Sequence, residues 1–337
     1  MKAMVLTRPS QIETRPLVYT TVPDPEPCPG EIRVRVVACG VCHTDLHTAE
    51  GDLALPRLPI IPGHQIVGIV DALGPGALRF RPGDRVGIPW LGQTCGTCAH
   101  CRAGRENLCE AGRFVGLHID GGFAEYTVID EEFAHPLPAG CDDVEVTPIL
   151  CGGVIGYRAL RVCDVQRGEA VGLVGFGNSA HVTMQIARHW GCPVFVFTRS
   201  AAHRDLARRL GADWVGDIED HPGIELDRAV VFAPAGWLVP LALGHLRKGG
   251  VLTLAGITMS AIPAMDYDLI YGERSIRSVA NSTRRDVTET LTLAAEIPIR
   301  TDVQPFRLAQ ANEALASMKM SRLSGGAALV MDPPDTD

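Results

Sequence analysis

Two patterns of apolar and polar positions divide the chain. Through about residue 150 it carries short β-branched runs. Ile32-Arg33-Val34-Arg35-Val36-Val37 alternates apolar with polar, and Ile66-Val67-Gly68-Ile69-Val70 is apolar almost throughout. Both read as strands, because successive side chains of a strand face opposite sides. Pro29-Gly30 and Pro82-Gly83-Asp84 interrupt them as turns. This predicts an irregular, mostly β domain whose loops carry polar residues. Near residue 155 the pattern changes. Ala170–Val174 is an apolar strand, His181–Trp190 has helical spacing, Pro193–Phe197 is a second strand, and a helix follows through Leu206, Ala207 and Leu210. Further strands at Arg228–Phe232 and Val251–Ala255 enclose a helix over Leu238–Leu246. Such alternation predicts a doubly wound parallel sheet. The end of the chain adds a helix near Ala309–Met318, a closing strand near Ala327–Met331 and a frayed tail from Asp332 to Asp337.

At 337 residues the chain is too long for one ordinary core, which agrees with two domains. A composition 46% hydrophobic and 21% charged is that of a soluble globular protein. The net charge of −8 argues against nucleic acid or an anionic membrane as partner. No apolar run reaches the ~20 residues a membrane-spanning helix needs, and Met1–Pro9 does not read as an export signal. Eleven cysteines in such a chain point to a reducing compartment and to metal ligation. A cytoplasmic location is therefore expected.

Four of those cysteines form one motif, Cys95-x-x-Cys98-x-x-Cys101-x7-Cys109. Thiolates so close cannot pair sensibly as disulfides but can wrap one tetrahedral zinc. The surrounding Gly-, Arg- and Asn-rich stretch, residues 92–112, has little apolar content with which to build a core. A structural metal is expected there.

Gly175-Phe176-Gly177-Asn178-Ser179-Ala180 follows the strand ending at Val174 and opens a helix. In a G-x-G-x-x-G/A turn, the first glycine permits the bend, the second lets backbone approach a pyrophosphate, and the helix N-terminus offers oriented N–H donors. A dinucleotide site is expected, with Gly175, Phe176, Gly177 and Asn178 against the cofactor. The next strand ends in Thr198-Arg199-Ser200, with Arg204 a turn later, where an NAD site would place an acid. Hydroxyls and guanidinium groups suit a 2′-phosphate, so NADP(H) is favoured over NAD(H).

Cys42, His64 and Cys151 are scattered, and spacing alone does not unite them. Taken in order, however, G-V-C-H-T-D-L-H from Gly40, P-G-H ending at His64, the four-cysteine run, and Cys151 ahead of the glycine motif resemble the zinc-dependent medium-chain alcohol dehydrogenases. Gly83-Asp84-Arg85-Val86-Gly87 and Gly121-Gly122-Phe123-Ala124-Glu125-Tyr126 extend the likeness over essentially the whole chain. The resemblance implies a GroES-like catalytic domain, residues 1–152 and 288–337, and a Rossmann cofactor domain, residues 153–287. It implies Cys42, His64 and Cys151 around a catalytic zinc and the other four cysteines around a structural one, two zinc ions per chain. It implies a proton relay from Thr44 to His47, a cofactor contact at His43, and Asp45 orienting the histidine ligand. The activity implied is hydride transfer between an alcohol, or an aldehyde or ketone, and a nicotinamide cofactor, in a homodimer or homotetramer.

Four positions depart from the family pattern. Gln65 replaces the glutamate usual after the ligand histidine, leaving the site more positive. Ile155 replaces a threonine, Gly325-Gly326-Ala327 lacks an arginine, and Leu53 replaces a tryptophan. With Trp90 and Leu117 as walls, Leu53 implies an apolar pocket roomier than one made for ethanol. Two other readings remain: a zinc-poor, quinone reductase-like oxidoreductase, or a non-catalytic cofactor-binding redox sensor of the same fold.

Overall fold

A computed structural model describes residues 1–323 and 325–331; the tail expected to fray lies outside them. The chain forms two compact units. One comprises Met1–Cys151, Thr283–Ala295 and the segment from Arg300 onward; the other comprises Gly152–Ser282 and Glu296–Ile299. The chain thus returns to the first unit at Thr283, ahead of the expected residue 288.

The first unit is built on a sheet whose strands run in the order Val303–Arg307, Gly326–Val330, Glu31–Val41, Gln65–Leu73, Arg85–Ile88 and His135–Pro136. Tyr126–Asp130 also pairs with Glu31–Val41. That long strand follows its sequence pattern: Ile32, Val34, Val36 and Ala38 are buried while the residues between them are partly exposed. Each such aliphatic side chain larger than alanine contributes roughly 1.5–3 kcal/mol on burial. Together with Ile66, Val70, Val86, Phe123 and Leu329 they make one core. The antiparallel register sets Gly40 opposite Gln65, so Cys42 and His64 emerge from adjacent strands at one end of the sheet. A 3-10 turn over Thr147–Leu150 delivers Cys151.

Residues 92–112 form a small lobe with two short helical turns, Ala99–Arg102 and Glu106–Leu108. Among its apolar residues only Cys109 is buried. Glu106 fixes the lobe from inside: its Oε1 accepts Arg284 N–H at 3.0 Å, at the first residue of the helix Arg284–Glu296. The Arg284 guanidinium reaches on to Glu132 at 2.9 Å.

The second unit is a six-stranded, wholly parallel sheet, ordered Trp214–Gly216, Val194–Phe197, Val171–Val174, Leu226–Val231, Leu246–Leu254 and Ser275–Ser278. This unit's first strand, Val171–Val174, lies inside the sheet, and the order reverses beside it, the switch point at which such folds bind ligands. Its four residues are all buried, as expected of a parallel strand covered on both faces. One helix is shorter than its pattern predicted. It ends at Gly244, and Leu246 instead opens a strand, paired with Leu226.

Candidate metal centres and cofactor site

The three scattered ligands converge. Cys42 Sγ lies 3.9 Å from Cys151 Sγ, and His64 Nε2 lies 3.4 Å from Cys151 Sγ. The ligand atoms of all three fall within 4.8 Å of one another. Donors bound tetrahedrally to zinc at about 2.0–2.3 Å would be about 3.6–3.8 Å apart. The donor set therefore fits one zinc ion, with three protein ligands and a fourth position left open.

Asp45 organises the set. Its Oδ1 accepts from His64 Nδ1 at 2.9 Å and from Gly63 N–H at 3.1 Å, and its Oδ2 accepts from Cys42 N–H at 2.9 Å. Both His64 and Asp45 are 1% exposed. Nδ1 of His64 is taken by the carboxylate and Nε2 faces the Cys151 sulfur, so Nε2 is the nitrogen placed to ligate a metal. The Cys42 thiol is held well below its ordinary range by the hydrogen bond from Cys151 and, against the effect of burial, by His64.

The helix His43–Glu50 starts at Cys42 and carries the polar neighbours expected from the sequence. Thr44 Oγ1 lies 3.8 Å from Cys42 Sγ. His43 is exposed, and His47 is half-buried one turn along from Thr44. After the turn at Gly51, Asp52 folds back so that its Oδ2 is 2.8 Å from His47 Nδ1. That contact was not anticipated. An acid five residues beyond a histidine carries no recognisable motif; only the helix terminator Gly51 between them hints at it. Gln65 is buried beside the ligands, and Trp90 stands with its ring centroid 6.2 Å from that of His64 and is stacked on Phe114 at 4.4 Å.

The other four cysteines also close into one cluster. Cys95 lies 3.9 Å from Cys101 and 3.5 Å from Cys109, and Cys98 lies 3.5 Å from Cys101, all between sulfurs. These separations suit a tetrahedral ZnS4 site and are far too long for disulfides. Backbone N–H groups of Cys98 and Cys101 point at the sulfurs of Cys95 and Cys98. Backbone N–H groups of Thr97 and Cys98, with a further bond to Cys109, bring the Cys95 thiol down to about 6.

In the second unit the glycine motif forms the expected strand–turn–helix. Gly175 has φ +88°, which favours glycine, and a Cβ added at Gly177 would meet nothing within 4 Å. The helix Asn178–His189 starts with no side-chain cap, and Asn178 Oδ1 is buried without a hydrogen-bond partner among the described residues. Open space, uncapped N–H groups and an orphaned polar atom fit a bound pyrophosphate. Phe176 between the two glycines is 2% exposed. At the next strand end Ser200 caps its own helix through His203 N–H. Arg204 donates to the Thr198 carbonyl at 2.7 Å and pairs with Asp217 at 3.3 Å. Arg199 is exposed and has no ion-pair partner among the described residues.

Comparison with known proteins agrees with this construction. Residues 28–139 match the alcohol dehydrogenase GroES-like domain, and residues 180–296 match the zinc-binding dehydrogenase domain. The two matches cover most of the chain and define a zinc-binding oxidoreductase. The chain belongs to the zinc-dependent medium-chain alcohol dehydrogenase family. It is 45% identical to the probable alcohol dehydrogenase AdhA of Mycobacterium tuberculosis, over 98% of this chain and 97% of the relative. The crystal structure of AibC is similar, with TM-score 0.92 and 29% identity over 99% of this chain and 96% of that one. An NAD-dependent alcohol dehydrogenase has TM-score 0.89 and 27% identity, over 98% of this chain and all of that one.

Proposed function

We propose that the chain is an alcohol dehydrogenase or aldehyde reductase with two zinc ions, one reactive and one structural, and a preference for NADP(H). The reading is carried by the convergence of Cys42, His64 and Cys151 around one point, with Asp45 behind the histidine. Zinc held there would supply a Lewis acid at its fourth position, and a bound nicotinamide would accept or donate the hydride.

The chain's own residues do the rest. Asp45 keeps His64 in its ligating tautomer and holds the Cys42 backbone in register. The Thr44 hydroxyl, beside Cys42 Sγ, exchanges a proton with the substrate oxygen. His47 is the terminal acceptor: Asp52 takes its Nδ1–H, which leaves Nε2 free to pick up a proton. Trp90 and Leu117 wall an apolar pocket, with Leu53 leaving room for more than a two-carbon alcohol. His43 lies on the cofactor side, and the uncapped turn at Gly175–Asn178 holds the pyrophosphate.

Preference for NADP(H) is supported by the absence of a carboxylate at Thr198-Arg199-Ser200 and by an exposed Arg199 with no ion-pair partner among the described residues. Arg204 supports it indirectly by holding the Thr198 carbonyl in place. The protein is read as cytoplasmic and as a homodimer or homotetramer. Exposed Trp237, Ile257, Tyr267 and Tyr271 in the second unit support assembly, which light scattering would show as a multiple of 36.1 kDa.

Cys42→Ser tests the central assignment. It should lower zinc from two ions to one per chain and abolish turnover while the fold persists. Unchanged zinc with unchanged turnover would remove Cys42 from the reactive site.

A further inference from the structure

The helix His43–Glu50, which carries Thr44 and His47, is held at its last residue by a distant part of the chain. Glu50 Oε1 accepts Lys319 Nζ at 2.8 Å and Ile12 N–H at 2.9 Å. Lys319 ends the helix Ala311–Lys319, and its ammonium reaches on to Glu13 at 3.0 Å and to Gln11 Oε1 at 3.0 Å. All of these residues belong to the first unit. The Glu50 side chain is 9% exposed and that of Lys319 30%, so the pair is partly shielded from the water and salt that weaken open surface pairs.

The turn after Glu50 rests on the same N-terminal strap. Ala49 C=O accepts Ser10 N–H at 3.0 Å, and Gly51, with φ +84°, lies so close to Pro9 that an added Cβ would stand 3.0 Å from Pro9 Cβ. Asp52 comes next. Its N–H donates to the His47 carbonyl at 2.9 Å, and its Oδ2 lies 2.8 Å from His47 Nδ1. Glu50 is thus two residues from the acid that meets the His47 ring, and the backbone between them is seated from outside the helix.

Resting on the reading of His47 as the terminal proton acceptor, we infer that Lys319 is a positioning residue for the His47–Asp52 pair, acting through Glu50 and the turn at Gly51. The ammonium draws the helix end onto residues 9–13, and that seat sets where Asp52 returns to the imidazole. A cation at a helix C-terminus is also favoured by the helix dipole. An ionised carboxylate only accepts, so the seat keeps the hydrogen on His47 Nδ1 and leaves Nε2 open.

The test is the tautomer of His47 in full-length protein loaded with zinc and labelled with nitrogen-15 histidine, at about pH 8.5, above the ordinary imidazole range. Correlations from the carbon-bound ring protons to both nitrogens distinguish the tautomers, and His47→Gln assigns the signal. Wild type should show chiefly the Nδ1–H form. Lys319→Met keeps the aliphatic stem and removes the cation. It should lower the ratio of Nδ1–H to Nε2–H about threefold or more, the scale of one ion pair. Glu50→Gln should act alike, Lys319→Met should add little to it, and Lys319→Arg should restore the wild-type ratio. A wild-type ratio in both Lys319→Met and Glu50→Gln would overturn the inference, as would fully additive effects. His47→Gln separates the two levels. If NADPH-dependent reduction of a panel of aldehydes survives it unchanged, the relay reading fails; if reduction falls while Lys319→Met and Glu50→Gln keep the wild-type ratio, only the role of Lys319 falls.

Discussion

At Asp45 a single buried carboxylate meets three demands: the imidazole proton of His64, the Gly63 N–H and the Cys42 N–H. Spacing in the sequence could not reveal this, because Asp45 and His64 are joined by strand pairing and not by proximity in the chain. The resemblance to a family carried that expectation, as it carried the union of Cys42, His64 and Cys151. The four-cysteine run is different. Its ligands lie within fifteen residues, so local spacing alone was enough to point to one metal. His47 and Arg199 are the residues whose proposed roles can be tested singly. His47→Gln removes the terminal proton acceptor and should lower kcat about 10²-fold, general acid–base groups being worth 10²–10⁴. Rates measured across neutral to alkaline pH check this, and a profile matching wild type would place the relay elsewhere. Arg199→Ala should raise KM for NADPH about tenfold or more while leaving KM for NADH nearly unchanged. Equal effects on both would refute a 2′-phosphate contact.

The element scale was the most legible where burial is simple. The alternation over Ile32–Val37 and the solid apolar run at Val171–Val174 appear in the structure as a half-covered and a fully covered strand. Boundaries were less legible where a neighbour decides them. Leu246 looks helical by spacing, yet sheet pairing with Leu226 claims it. Least visible were bonds between distant elements, such as Glu106 to Arg284, which lie 178 residues apart. Beneath Arg284 lies another such feature. His135 is 3% exposed, its Nε2 has no hydrogen-bond partner among the described residues, and burial, with help from Arg79 and Arg284, lowers its pKa to about 3. An unfolded histidine titrates near 6.5. The folded state thus binds fewer protons between these values. The neutral ring's contribution is complete above about pH 6.5 and is lost as pH falls toward 3, at roughly 1.4 kcal/mol per unit. Urea unfolding at about pH 7.5 and pH 5 checks it. Between those conditions His135→Leu should lose about 2 kcal/mol less stability than wild type. Parallel losses would mean that His135 is protonated in the fold.

Over the whole molecule, one chain gathers two clusters of candidate metal ligands and a parallel nucleotide-type sheet, each recognisable to a different degree. The parallel sheet and glycine turn followed from pattern, the four-cysteine cluster from spacing, and the grouping of Cys42, His64 and Cys151 only from order along the full chain. What ties them into one enzyme is the claim that the centre at Cys42, His64 and Cys151 is a working site and the lobe at Cys95–Cys109 a structural one. None of the described helices is long and apolar enough to cross a membrane. The most direct measurement is zinc per chain on purified protein, followed in the same sample by NADPH and NADH oxidation with a panel of aldehydes. The account predicts two zinc ions and aldehyde-dependent oxidation that favours NADPH. One zinc ion and no turnover with any aldehyde would contradict it, and would leave the four-cysteine lobe as the only metal site in the chain.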